Sequence, residues 1–122
     1  MGRVEQTYYL VRIAEAQFGP PVAVGDRLIY RAESRIPWLD PIFDLPPGTV
    51  CEVLKIDYDE AVGEPDFDPW DNHYHYWLRG MEEHGGLSTT EVVALFDLSG
   101  TYEAFDSIAQ QIVEVVSGCQ PV

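Results

Sequence analysis

The chain has little positive charge. Its 122 residues include 7 Lys and Arg against 21 Asp and Glu, so the formal net charge is −14 with neutral histidines. Lysine occurs once, at Lys55. A surface of this sign repels phosphate backbones, and we therefore expect no direct binding to nucleic acid.

Long apolar runs and cysteine pairs are also missing. No stretch approaches the roughly 20 apolar residues that span a bilayer, and the first residues lack the pattern of a signal peptide. The two cysteines, Cys51 and Cys119, form neither a CxxC pair nor a disulfide framework. These absences predict an intracellular, cytoplasmic protein that does not bind membranes.

The composition is nevertheless that of a folded domain. The hydrophobic content of 46% is too high for a disordered acidic tail, and the length fits one domain. We expect a single domain over 1–122, rich in strands over 7–98, with an amphipathic helix over 102–117.

Residue patterns predict most of the elements. Ser88 and Glu91 fit the capping box that starts a helix, so we expect a short helical turn over 88–92. Apolar residues at helical spacing near the C-terminus, such as Phe105, Ala109 and Ile112, predict the amphipathic helix. Strands are predicted from β-branched and aromatic runs over 7–13, 24–31, 49–58, 73–79 and 93–98.

About five strands joined by turns and loops, then one helix, predict a mainly β fold with a C-terminal α-helix. The connections favour a small antiparallel barrel or curved sheet. From Val24 onward, over about 75 residues, the order of elements resembles an SH3-like barrel: a strand begun at Gly-Asp, a long first loop, a strand launched by Pro-Pro-Gly, an aromatic strand and a short helical turn. This likeness of fold does not by itself assign a function.

Acidic residues concentrate in one segment, residues 57–71, which we call the acidic loop. No basic residue occurs between Lys55 and Arg79, so the repulsion within the segment calls for solvent, salt or a cationic partner. Seven of its fifteen residues are carboxylates: Asp57, Asp59, Glu60, Glu64, Asp66, Asp68 and Asp71.

Two aromatic residues, Phe67 and Trp70, interrupt these carboxylates. Carboxylates can hold a guanidinium group in a bidentate pair, and aromatic faces attract cations. The acidic loop therefore predicts a docking site for a basic protein surface. Two alternatives remain: a calcium loop through Asp66, Asp68 and Asp71, and a solvated acidic surface with no partner, as in adaptation to high salt.

A second candidate site lies in the proline-rich connection over 33–48. Trp38, Asp40 and Asp44 combine bulky and acidic side chains there, and long loops of this kind are often functional. In SH3-like domains the corresponding loop is acidic and helps to bind proline-rich or basic peptides, so the resemblance implies that role for Asp40 and Asp44. The alternative is a loop folded over an open end of the barrel.

Histidines offer a weaker, metal-based alternative. His73 and His75 are two residues apart, which places both on one face of a strand, and His84 and Asp71 lie near in sequence. This set suits Zn²⁺ in number, but no metal motif accompanies it. Since no nucleophile motif or phosphate-binding loop is present either, we expect no catalytic residues, no cofactor and no enzymatic activity.

These observations favour a small, acidic, non-enzymatic protein that binds another protein. The preferred hypothesis is an inhibitor that occupies a basic, nucleic-acid-binding surface as a nucleic-acid mimic, as small acidic proteins encoded by phages do against host defence complexes. The first alternative is an adaptor or accessory module of SH3-like fold. The second is a metal-dependent enzyme that uses Asp71, His73, His75 and His84.

Overall fold

A computed structural model of the chain describes residues 3–36, 39, 44–98, 107, 109–111 and 114. The described part contains two α-helices, five strands and a short 3-10 helix over Glu82–His84. In chain order the helices and strands are α1 (Arg3–Phe18), β1 (Arg27–Tyr30), β2 (Val50–Tyr58), β3 (Tyr74–Leu78), β4 (Leu87–Ser88), α2 (Thr89–Leu95) and β5 (Phe96–Leu98).

The five strands form one antiparallel sheet in the order β4-β3-β2-β1-β5, curled into a half-barrel. The predicted mainly β, antiparallel curved sheet is therefore confirmed. Of the helix predicted over 102–117, the described residues Ser107, Ala109, Gln110, Gln111 and Glu114 are helical. Among them, Ala109 is buried in the core cluster.

The core lies on the concave side of the sheet, under both helices. Its buried members come from every strand and from the connections between them. They are Val11, Val22, Leu28, Tyr30, Ile36, Cys51, Val53, Tyr76, Leu78, Met81, Leu87, Val92, Val93, Ala94, Leu95, Phe96 and Ala109.

An irregularity in β2 changes which residues face this core. Val53 pairs with Leu78, and the register with β3 then shifts before Lys55. Cys51 and Val53 are buried before the shift, whereas Ile56 packs against the core after it. Strict alternation would place Ile56 on the face opposite Val53, but one extra residue in a strand inverts the faces beyond it.

The first segment departs from the sequence prediction. Residues 7–13, predicted as a strand, belong to helix α1, so this prediction is wrong. The buried positions Tyr8, Val11 and Glu15 recur every three or four residues, which is the spacing of a helix face. The β-branched and aromatic residues of the segment are compatible with a helix when that face packs on a core. Gly19, at φ 75°, follows the helix and donates its N–H to the Glu15 carbonyl, a common C-terminal ending.

The predicted capping box is confirmed, although the following boundaries move. Ser88 accepts from the Glu91 backbone N–H and Glu91 accepts from the Ser88 backbone N–H. Helix α2 then continues to Leu95, further than the turn predicted over 88–92, and β5 starts at Phe96. All residues of α2 except Glu91 are buried, so burial on all sides supports a helix where the sequence also suits a strand.

Two arginines fix the connection after β1 to the end of α2. Arg35 donates to the carbonyls of Val93 and Phe96, each at 2.6 Å. Arg35 also pairs with Asp97, to which Arg31 donates at 2.7 Å. These two guanidinium groups therefore satisfy the end of a helix and one carboxylate.

A buried carboxylate joins α1 to the start of β3 and to α2. Glu15 is 4% exposed and accepts three hydrogen bonds: from the backbone N–H groups of His73 (3.0 Å) and Tyr74 (2.9 Å), and from the Thr89 hydroxyl (2.8 Å). Because Thr89 donates to Glu15, the Tyr76 hydroxyl, 3.0 Å away, donates to Thr89. Burial raises the pKa of Glu15, and these hydrogen bonds partly oppose the rise.

Asn72 makes a second buried connection between the same elements. Its side-chain oxygen accepts from the backbone N–H of Thr90 (2.9 Å) and from the Thr90 hydroxyl (2.7 Å). Its side-chain nitrogen donates to the Tyr8 carbonyl at 3.1 Å. Asn72 is fully buried, and breaking such a paired polar group costs about 1–3 kcal/mol.

The raised pKa of Glu15 predicts a pH-dependent contribution to stability. The folded chain keeps a proton on Glu15 at pH values where the unfolded chain, with a pKa near 4.5, has lost it. The contribution is therefore fully present below that value and is lost as the pH rises through the folded pKa. We expect the stability of the wild type, relative to Glu15→Gln, to fall in urea unfolding as the pH rises above about 4.5. A difference that grows with pH would contradict this sign.

Gly86 predicts a second stability effect, on the convex side of the sheet. A Cβ added there would lie 2.9 Å from His75 Cβ and 2.9 Å from the Trp77 ring. His75 Cβ is fixed to the backbone, so the strand must shift. We expect Gly86→Ala to lower the free energy of unfolding by about 1–3 kcal/mol and to change Trp77 fluorescence. An unchanged free energy of unfolding in urea would show that the Trp77 ring and the strand move to accommodate the methyl group without loss of stability.

Candidate functional site

The acidic loop joins β2 to β3 and is built from successive tight turns. Backbone hydrogen bonds join Glu64 N to Ala61 O, Phe67 N to Glu64 O, and Asp71 N to Asp68 O, at 3.0–3.2 Å. Val62 is 3% exposed and anchors the middle of the loop in the protein. At the base, Asp59 donates its N–H to the His73 carbonyl at 2.8 Å. The loop is thus closed and internally bonded.

A single side chain of α1 holds the second half of the loop. Arg12 donates from Nε to the Asp71 carbonyl at 2.7 Å and from Nη2 to the Asp68 carbonyl at 2.9 Å. The planar guanidinium group presents these donors in a fixed fork. The segment from Asp68 to Asp71 is therefore fixed at two points to a helix that is itself bonded to β3 through Glu15.

Three of the seven carboxylates in the loop have partners close by. Asp57 pairs with Lys55 at 3.0 Å, and Asp59 accepts from the Ala61 N–H at 2.9 Å. Asp71 Oδ1 lies 3.2 Å from His75 Nε2. These three side chains stabilise the loop and its flanking strands.

The other four carboxylates of the loop lie between Asp59 and Asp71 in the chain. Within the described part of the chain their side chains make no hydrogen bond or ion pair. All four residues are exposed, so their oxygens are open to solvent or to a partner. They are Glu60, Glu64, Asp66 and Asp68.

The cations of the neighbouring sheet are engaged elsewhere. Arg79 donates to Glu52 at 3.2 Å. Lys55, besides its pair with Asp57, lies over the Trp77 ring, 4.8 Å from its centre. The convex face of β2 and β3 therefore carries its own balancing charges, whereas the centre of the acidic loop does not.

The two aromatic residues predicted as contacts differ in exposure. Trp70 is 51% exposed, and Phe67 is half-buried. Tyr58 is also exposed, but its ring stacks on His73, with 5.4 Å between the ring centres. The Tyr74 ring lies against it too, at 5.0 Å between the ring centres. Trp70 is thus the aromatic side chain of the loop that is best placed for a partner.

The second predicted site, in the connection over 33–48, is described only in part. Trp38 and Asp40 lie outside the described residues, and Asp44 is exposed. Two leucines of the same connection, Leu39 and Leu45, are partly buried against the core.

The histidines do not form the metal site considered from the sequence. His73 precedes β3, and its Nδ1 lies 3.0 Å from the Asp59 carbonyl, whereas His75 faces Asp71. His84 lies in the 3-10 helix. Among the described residues, no group of three Cys, His, Asp or Glu side chains is arranged to hold a metal ion. This finding includes Asp66, Asp68 and Asp71, the residues of the calcium alternative.

Sequence reasoning missed the residues that position the loop. Arg12 and Glu15 hold it from α1, and Asn72 holds it from the residue that follows the loop. A strand over 7–13 does not place Arg12 beside the loop. The spacing of Tyr8, Arg12 and Glu15 is the helical signal that would have placed Arg12 and Glu15 side by side.

Removal of the Arg12 side chain predicts a loosened loop. We expect Arg12→Ala to raise amide hydrogen-exchange rates over 60–71 about tenfold or more, because two hydrogen bonds that fix the loop are lost, and to cost about 1–2 kcal/mol of stability. Arg27→Ala is the matched control, since it removes the same charge from an exposed position on β1. Equal exchange rates in both variants would contradict a holding role for Arg12.

In the described part of the chain, no helix is long and apolar enough to cross a membrane. Comparison with protein-family models, with curated proteins and with solved structures finds no match to this chain.

Proposed function

We propose that this protein is a small non-enzymatic inhibitor that docks its acidic loop on the basic, nucleic-acid-binding surface of a partner protein. One observation carries the proposal: four exposed carboxylates without partners among the described residues stand on a loop that is itself held by hydrogen bonds. The protein would then occupy the partner as a mimic of the phosphate backbone.

The electrostatics favour a cationic partner. The net charge of −14 produces a long-range field that accelerates encounter with a positive surface. Salt screens such fields, with a Debye length of about 8 Å at physiological ionic strength. The proposed complex therefore forms fast at low salt and weakens as salt rises.

The held loop favours binding by reducing its entropic cost. A flexible loop loses conformational freedom when it binds, whereas a loop ordered beforehand loses less. The turns of the loop, the buried Val62 and the hydrogen bonds from Arg12 all order it in the free protein. The carboxylates are thus presented together before a partner arrives.

A charge-matched pair of variants tests this proposal. The loop variant combines Glu64→Gln, Asp66→Asn and Asp68→Asn. The control variant combines Glu33→Gln, Glu83→Gln and Glu114→Gln, which removes the same charge from exposed positions elsewhere. Each protein is immobilised, and the proteins that it retains from a lysate are quantified by mass spectrometry, with and without added duplex DNA.

We expect the wild type and the control variant to retain nucleic-acid-binding proteins that duplex DNA displaces, and the loop variant to lose them. Binding of the purified partner is then expected to fall steeply between about 50 mM and 500 mM salt and to prevent the partner from binding DNA in a gel-shift assay. Retention that is equal in both variants, or that DNA does not affect, contradicts mimicry by the acidic loop.

A further inference from the structure

Helix α1 exposes apolar side chains on the face that points away from the core. Tyr9 is 50% exposed and Ile13 is 48% exposed. They are four residues apart, so they are neighbours along the surface of the helix. Ala16, the next residue on this face, is also exposed. The helix thus carries a short apolar row in contact with solvent.

This row lies beside the acidic loop. Arg12 lies one helical turn after Tyr9, and its side chain reaches the carbonyls of Asp68 and Asp71. In the chain, Trp70 lies between Asp68 and Asp71, and its side chain is 51% exposed. The hydrogen bonds from Arg12 therefore hold the loop segment that carries Trp70 to α1, one helical turn from Tyr9. We call Tyr9, Ile13 and Trp70 the α1 patch.

The charge around the α1 patch selects its occupant. Asp68 and Asp66 lie two and four residues before Trp70 and give the patch an acidic border, and the whole chain carries a net charge of −14. An anionic membrane, a nucleic acid and a second copy of this chain are all repelled by such a border. A polypeptide that combines basic and apolar side chains is attracted by the border and can cover the patch.

We propose that the α1 patch is the apolar centre of the partner-binding surface and receives a basic amphipathic helix of the partner. This inference rests on the proposed function, since it concerns the same partner. Side chains in a row at helical spacing suit a second helix lying along the first. The apolar face of the incoming helix covers Tyr9, Ile13 and Trp70, and its Lys and Arg side chains face the loop.

The two parts of the surface contribute differently to binding. Exposed charge pairs add little energy and are screened by salt. Aromatic residues that become buried at the centre of an interface carry a large share of the affinity and act mainly on the dissociation rate. The loop therefore governs the rate of encounter and the salt dependence, while the α1 patch governs the affinity that remains at high salt.

Two synthetic peptides separate these contributions. One is a Leu/Lys amphipathic helix, and the other is an oligolysine with the same number of lysines. The patch variant combines Tyr9→Ala with Trp70→Ala. Its control combines Phe18→Ala with Val24→Ala, which are equally exposed apolar residues (46% and 61%) away from Arg12. Fluorescence anisotropy of the labelled peptides gives Kd at low and high salt, and circular dichroism confirms the fold of each variant.

We expect the patch variant to bind the amphipathic peptide with a Kd about tenfold higher or more than the wild type. Its Kd for oligolysine should stay within about twofold of the wild type, and the control variant should bind both peptides as the wild type does. In the wild type, titration with the amphipathic peptide should shift the Trp70 indole signal and the amide signals of Tyr9 and Ile13 in NMR spectra. This second measurement does not depend on any variant.

The outcomes distinguish the two proposals. If the patch variant binds both peptides as the wild type does, while the loop variant binds both more weakly, the α1 patch is not the centre of the surface. The proposed function then stands. If the loop variant too binds both peptides normally, or if neither peptide binds the wild type, docking of basic surfaces by the acidic loop is also overturned.

Discussion

The three hydrogen bonds accepted by Glu15 are the interaction on which the rest of the arrangement depends. They join the last turn of α1 to His73, which precedes β3, to Tyr74, the first residue of β3, and to Thr89, the first residue of α2. With Asn72, which bonds Tyr8 and Thr90, they determine where α1 lies on the sheet. Buried polar groups are tolerated only when such bonds are made, so a shift of α1 would leave several donors unpaired. The position of α1 is therefore strongly specified.

The fixed position of α1 in turn determines the shape of the acidic loop. Arg12 lies one helical turn before Glu15, so the same helix that bonds the start of β3 also reaches the carbonyls of Asp68 and Asp71. Arg12 holds the end of the loop at two carbonyls, and Asn72 and His73, which follow the loop, are bonded to α1 as well. The rest is bonded by its own turns and by the burial of Val62. A polar network inside the protein thereby orders charges on its surface.

The sequence predicts the elements whose signals are local. The strand over 49–58 and the capping box at Ser88 are found almost as predicted, because alternation and capping depend on neighbouring residues. The inversion of faces in β2 depends on pairing with β3, so alternation alone places Ile56 on the wrong face. The prediction of a strand over 7–13 is wrong. The hydrogen bonds that hold α1 in place join it to Asn72, Tyr74 and Thr89, which lie far along the chain.

The same distinction applies to the candidate site. The sequence locates the carboxylates and Trp70, because composition alone shows where charge accumulates. Which carboxylates are already satisfied depends on contacts that the sequence does not display, such as Asp71 with His75 and Asp57 with Lys55. A strand over 7–13 would alternate its faces, so the pattern of the sequence alone does not place Tyr9 and Ile13 on one exposed face of a helix.

The use of Arg12 argues against a surface shaped only by charge balance. Its guanidinium group bonds the main-chain carbonyls of Asp68 and Asp71, although the same two residues offer carboxylates. A bidentate pair with a carboxylate is the stronger bond for a guanidinium group and would also reduce repulsion within the loop. By bonding the carbonyls instead, Arg12 fixes the backbone and leaves the Asp68 carboxylate exposed. Adaptation to salt requires many hydrated carboxylates but does not require that they be held in place. A fixed set of carboxylates near the exposed Trp70 is what the proposed partner-binding surface requires.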